Sequence, residues 1–341
     1  MNRTATPALL VMLGGFAMGS AGAVGLGIEG THFTLDGEER FLLGVSYYGG
    51  LGAPDETVRA DLDDLAARGL NWVRVWATWS YGDENVSAVT GRGEAREPYL
   101  GRLVALVQEA DRRGIVVDVT LSRGDGAAAA ADNIHDLEGH VRAVQTLAEA
   151  LKPFRNVYFD MGNERNIGDA RHVSFEDLHA VREAIRAADP ARLATASAGG
   201  DIPDDELPRY LDEAGVDFLS PHRSRDAESP GQTERQTRHY LEELGRLGRV
   251  VPVHYQEPFR RDYGPWQPPA ADFLADLRGA VLGGAAGWCL HNGGPRGDYR
   301  GPDRSFDLRA GKGRLLEQLD SEELAALDQM APTVAAAQRA L

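Results

Sequence analysis

The feature that most constrains this chain is an eightfold alternation of short apolar runs with amphipathic helical stretches. HFTLDGEERFLL (32–43) reads as a hairpin turning at Asp36-Gly37. The apolar runs that follow are FLLGVSYY (41–48), NWVRVWAT (71–78), IVVDVTLS (115–122), NVYFDMGNE (156–164), LATASAGG (193–200), VDFLSPHRS (216–224), VVPVHYQE (250–257) and AAGWCLHN (285–292). Helical stripes separate them: Val58, Leu62 and Leu65 within 54–68, Leu100 to Val107, Leu137 to Leu151, and Leu178, Val181 and Ile185 within 175–189. A short helix near 205–214, a charged one near 231–247, a stripe at Phe273, Leu274, Leu277 and Val281, and a last helical region at about 314–340 complete the series. The pattern predicts an α/β fold, a single (β/α)8 TIM barrel over 24–341 with a short N-terminal β-hairpin. A doubly wound sheet is disfavoured by the strand count. GVSYYGGLGAP (44–54) also lacks GxGxxG, and tyrosines stand where a backbone would approach a pyrophosphate.

Parallel barrels build their sites at the C-terminal ends of their strands. Two glutamates fall there, Glu164 in NVYFDMGNERN (156–166) and Glu257 in VPVHYQEPFR (251–260). Strands four and seven lie across the barrel from each other, so the two carboxyls face over the mouth. Such a pair is the minimum equipment for cleaving a glycosidic bond, with retention at a separation of about 5–5.5 Å and inversion at about 6.5–9.5 Å. Asn163, beside Glu164, is placed to hydrogen-bond a sugar hydroxyl. A plainer reading makes Glu164 a surface residue ion-paired with Arg165. Aromatic side chains cluster at the strand ends; of these, Trp79 and Trp288 are the expected sugar contacts, and the others are left open between sugar stacking and packing loops onto the rim. His222, His254 and His291 also lie near strand tips, where a hydrogen-bonded structural histidine is the commoner case.

At these positions the chain resembles the clan A glycoside hydrolases, and most of all the cellulase-like family 5. In that family an apolar run ending in Asn-Glu supplies the acid/base from strand four, and VYFDMGNERN fits except at Arg165, where Pro or Val is usual. PVHYQE (252–257) has the form of the strand-seven motif that ends in the nucleophile. The resemblance places Arg74 of NWVRVW beside that nucleophile, and matches Trp288 of GWCL to a tryptophan that floors the sugar site. On strand six His222 fits, but Ser224 stands where the family carries a tyrosine that hydrogen-bonds the nucleophile. The resemblance spans about 30–295. It implies a retaining β-glycosidase acting on an oligo- or polysaccharide, with Glu257 as nucleophile, Glu164 as acid/base, and Asn163, Arg74, His222 and Trp288 as substrate contacts, beside the Trp79 expected from its place at a strand end. Transglycosylation on the same glutamates and a non-catalytic carbohydrate-binding barrel are the alternatives.

Composition removes other classes. The formal net charge of −16 argues against nucleic acid or an anionic membrane as partner. The nine histidines show no paired metal-ligand spacing, so neither metal nor cofactor is expected. Cys289, the single cysteine, rules out an intrachain disulfide and reads as a buried thiol. Arg3, the apolar stretch 8–19 and Ala21-Gly22-Ala23 read as a cleavable signal peptide over 1–23. That implies a mature chain from near Val24 in a secreted or periplasmic location.

Overall fold

The computed structural model describes residues 24–81, 84–124, 133–294 and 304–341. The expected signal peptide, 1–23, lies outside the described residues. Eight parallel strands form the barrel: one (Leu42–Ser46), two (Trp72–Trp76), three (Val116–Thr120), four (Val157–Asp160), five (Ala194–Thr195, continued as Ser197–Ala198), six (Ser220–Pro221), seven (His254–Tyr255) and eight (Gly287–Leu290). One ladder runs in the order five-four-three-two-one-eight-seven. The continuation of strand five pairs with strand six, and a parallel bridge from Leu219 to Val253 joins six to seven. The ring is thereby closed, and the fold is the (β/α)8 barrel that the alternation predicts.

The two halves of the barrel are built differently. Strands one to three are continuous five-residue ladders of buried residues, and strand four adds four more. Strands five to seven pair only in two-residue pieces. Between five and six the helix shrinks to a 3-10 turn (Asp204–Glu206) and a π-helical turn (Arg209–Glu213). The remaining connections carry helices Asp55–Ala67, Tyr99–Asp111, Leu137–Leu151, Phe175–Ala188, Ser229–Arg246 and Ala270–Gly283, with Leu315–Gln318 and Ser321–Gln338 after strand eight. Local chemistry sets several of the helix starts. Asp136, Ser174 and Asp320 accept hydrogen bonds from first-turn amides, and Asp320 with Glu323 forms a capping box.

The predicted hairpin is present and larger than expected, a three-stranded antiparallel sheet of Leu26–Glu29, His32–Leu35 and Glu38–Arg40. Asp36 and Gly37 both take positive φ, 54° and 81°, as a tight hairpin turn requires. The sheet closes the bottom of the barrel. Its Phe33 is fully buried and packs edge-on against Phe218 and His254, with ring centroids 4.9 and 5.7 Å away.

Candidate functional site

Strand alternation decides which side chains reach the barrel interior. On strand two Trp72, Arg74 and Trp76 share the inward face, and Arg74 is fully buried there. Its guanidinium donates to Thr120 at 2.9 Å, to Asp160 at 2.8 Å and to Asn163 at 3.0 Å. It also pairs with Glu257 and lies 3.3 Å from Asp118. A buried cation needs such neutralisation, because one left unpaired costs several kcal/mol. Asp118 is the least settled of the three acids: burial raises its carboxyl to about 7 against the downward pull of Arg74.

Glu164 follows strand four in the left-handed region, φ 48°, a conformation costing roughly 1–3 kcal/mol unless its surroundings impose it. Here they do. Asn163 donates its amide to the Leu121 carbonyl at 2.8 Å, Glu164 to the Ser197 hydroxyl at 3.1 Å, and Arg165 to the Ser197 carbonyl at 3.0 Å. Three successive amides bound to strands three and five turn the chain so that the Glu164 carboxylate meets Glu257.

One nitrogen lies between the two acids. Arg225 Nη2 donates to Glu164 Oε1 and to Glu257 Oε2, both at 2.9 Å. His222 Nδ1 is 3.4 Å from the same two oxygens. The three ligand-type atoms of Glu164, His222 and Glu257 all lie within 4.8 Å of one another. That spacing is compatible with a metal ion, but the Arg225 cation already fills the position between the carboxylates. A second cluster, Asp204, His239 and Glu243, is more exposed.

The electrostatics follow from this crowding. Burial alone would raise Glu257, but Arg74, the His291 and His222 imidazoles and Arg225 together hold it at about 2. Burial likewise opposes ionisation of Glu164, and Arg225, His222 and Arg171 outweigh it and hold its carboxyl well below the usual range. Arg171 binds Glu164 Oε2 at 2.6 Å, while its Nε and Nη2 engage Asp169.

Five of the seven sequence-predicted residues, Glu164, Glu257, Asn163, Arg74 and His222, converge on this point. Trp79 stands beside it in an aromatic group with Tyr48, Trp76 and Phe306, at centroid distances of 4.8, 5.3 and 5.6 Å. It donates its indole N–H to the Phe306 carbonyl at 3.0 Å and lines a shallow depression with Tyr81, Val86 and Arg309. Trp288 must be corrected. It is fully buried and donates its indole N–H to Asp276 on helix Ala270–Gly283, at 2.6 Å. On strand eight the inward position is Cys289, whose sulfur is 3.7 Å from Ser46, so Trp288 points away from the mouth and packs a helix. Cys289 is buried as expected.

Arg165 does not pair with Glu164. It stacks on Phe175, 4.0 Å from its centroid, and donates to the Val173 carbonyl at 2.8 Å. The sequence reading missed Arg225, Arg171 and the pair Tyr48–His291. The Tyr48 hydroxyl is 2.6 Å from His291 Nε2, which lies 3.8 Å from Glu257. A faint signal existed for Arg225, which follows immediately on the departure at Ser224. Ser224 occupies the tyrosine position of the resembled pattern, and the next residue, Arg225, is the one that donates to Glu257.

No protein-family profile matches the chain, and no curated protein sequence matches it. Solved structures do match. A glycoside hydrolase family 5 mannosidase from Rhizomucor miehei superposes with a TM-score of 0.65 at 15% identity, covering 95% of this chain and all of that one. A family 5 glycoside hydrolase from Bacteroides vulgatus gives 0.65 at 18% identity, covering 91% of this chain and 70% of its own. GH5_18 from Streptomyces cattleya, solved with Manb1-4GlcNAc, gives 0.57 at 19% identity, with 86% and 80% covered. At such identities the likeness is one of fold. The chain is a (β/α)8 barrel with the fold of the family 5 glycoside hydrolases, the family that its strand-four and strand-seven motifs resemble.

Proposed function

We propose that the protein is a retaining β-glycosidase acting on a β-linked glycan, with Glu257 as nucleophile and Glu164 as acid/base. The observation carrying this reading is the pair of carboxylates at the barrel mouth with facing oxygens within 4.8 Å. Inverting enzymes need about 6.5–9.5 Å between the carboxyls to admit a water, and retaining ones about 5–5.5 Å. Its cationic neighbours hold Glu257 ionised near neutral pH, and Arg74 binds its Oε1, leaving Oε2 on the side of Arg225 and Glu164. Attack of that oxygen on the anomeric carbon would break the bond to the leaving oxygen, which takes the Glu164 proton. Water would then attack the glycosyl-enzyme, returning its proton to Glu164 and releasing Glu257. Asn163, held by Arg74, is available to the 2-hydroxyl. Export with loss of 1–23 belongs to the same proposal. A mature N-terminus near Val24 on protein recovered outside the cell supports it, and an intact leader on such protein counts against it.

The test is hydrolysis of a panel of aryl β-glycosides and soluble β-glucans and mannans, mannosides being included because two of the similar structures bear mannose-related names. Turnover lost in both Glu257→Ala and Glu164→Gln, with folding retained, supports the assignment; activity surviving in both variants sinks it. A carbohydrate-binding barrel is the second reading. It is favoured by the ion pairs of Arg225 and Arg171, which hold Glu164 ionised when a general acid needs its proton. Saturable oligosaccharide binding without turnover on any substrate would select it.

A further inference from the structure

Any sugar reacting between Glu164 and Glu257 must displace Arg225, because Nη2 occupies the space at 2.9 Å from each carboxylate. This guanidinium is not free to stand alone. It is largely buried and stacks on Tyr263 at 4.9 Å, so leaving its two carboxylates without a new anion costs several kcal/mol. Sugar hydroxyls can accept its hydrogen bonds but do not replace the charge.

A second guanidinium shares the place. Arg260 stacks on the same Tyr263 ring at 5.6 Å and on Phe306 at 5.2 Å. Its one hydrogen bond to a described residue runs from Nη1 to the Gly293 carbonyl at 3.2 Å, and its Nε is buried without an acceptor. Among the described residues Arg260 makes no ion pair. In a chain of net charge −16, two guanidinium groups share one tyrosine ring beside the catalytic pair, one bridging the acids and one without an ion-pair partner among the described residues. Such forked donors bind planar or tetrahedral oxyanions.

On the glycosidase reading, on which this inference rests, we propose that the reacting sugar carries a negatively charged substituent, a uronic carboxylate or a sulfate ester, received by Arg225 and Arg260. The substituent takes Arg225 from the glutamates as the sugar enters. Burial then acts on Glu164 with less opposition and favours the protonated form that a general acid requires. The substrate's own charge thus switches the acid on, and a neutral sugar would leave Arg225 in the way.

The test compares the 4-nitrophenyl β-glucoside and β-mannoside with the β-glucuronide and 6-sulfated β-glucoside, using the full protein. A charge-assisted contact gives about a 10–100-fold preference in kcat/KM for an acidic substrate. Preference for the glucuronide identifies a carboxylate site and preference for the sulfated glucoside a sulfate site; either supports the inference. In Arg260→Gln the acidic-to-neutral ratio should fall, and Arg260→Lys should restore part of it. Neutral glycosides turned over as well as acidic ones overturn the proposal and leave the glycosidase reading intact, as does a ratio unchanged in Arg260→Gln. If no glycoside is turned over, the glycosidase reading fails instead. Calorimetry with glucuronate and glucose 6-sulfate against glucose then decides: binding of an acid but not of glucose upholds the anion site, and binding of neither acid removes it. Should Arg260→Gln fail to fold, the wild-type ratio carries the test.

Discussion

The two ends of this barrel are made of opposite materials. At the bottom, Phe33, Leu42, Trp72, Val116, Tyr158, Phe218 and Cys289 form a buried cluster sealed by the antiparallel sheet, and His254 sits uncharged among the rings. At the top, Arg74, Arg225, Arg171 and Arg260 stand against Glu164 and Glu257, with His222 and His291 between. The lower cluster gains stability by leaving water. The upper one loses it, since each charge must be bought back by a partner. Arg74 is where the two meet: it neutralises Asp118 and Asp160 in the interior and Glu257 at the mouth. Stability and chemistry are therefore separable by position, which point substitutions at each end can test.

The largest expected effect is at the top. Glu257→Ala should lower kcat by roughly 10⁴-fold or more, as losing a nucleophile does, while circular dichroism stays that of the folded protein. At the bottom, Phe33→Ala should remove about 3–5 kcal/mol in denaturant unfolding, with kcat of the surviving folded fraction unchanged. If Phe33→Ala altered kcat as strongly as stability, the division between the ends would be wrong.

Acid should strain both ends, in different windows. His254 is held neutral by burial, its pKa lowered from 6.5 to about 3. Between those values the unfolded chain binds the extra proton, so stability falls as pH drops from 6.5 toward 3, at up to about 1.4 kcal/mol per pH unit. Glu257 is depressed from 4.5 to about 2, so its contribution is complete above 4.5 and is lost as pH falls toward 2. His254→Phe should flatten the stability–pH curve between 6 and 4.5; an unchanged slope there would show that the imidazole is not buried neutral. For the top, Arg225→Ala removes a positive charge from Glu164, whose pKa should rise. The basic limb of the pH–rate profile, set by loss of the acid's proton, should move to higher pH. A limb that stays in place would mean that Arg225 does not govern Glu164.

The barrel was legible because its signal is repeated: each strand run and each helical stripe adds to one pattern, and even the thin strands five to seven fall in step. The glutamates were legible because motif and strand end coincide. Trp288 was misread by one residue of strand register. With a period of two, Cys289 takes the inward position and the tryptophan the outward one, and no composition cue distinguishes them. Arg225 and Arg171 were not legible because each reaches Glu164 from a loop, and arginine is common enough in this chain that no residue type marks the pair. The shape of a loop is set by a few tertiary contacts rather than by periodicity.

The smallest expected effect concerns Arg165, the departure from the strand-four pattern. As an ion-pair partner of Glu164 it would bear on the reaction; the structure turns it away, onto Phe175 and the Val173 carbonyl. Arg165→Val, which restores a residue usual in the resembled family, should therefore cost only about 1–2 kcal/mol of stability through the lost stacking and hydrogen bond. The basic limb of the pH–rate profile should not move, because Arg171 and Arg225 supply the cations that Glu164 meets. A limb displaced in Arg165→Val as far as in Arg225→Ala would place Arg165 in the charge cluster and undo the separation between side chains that hold the loop and those that hold the proton.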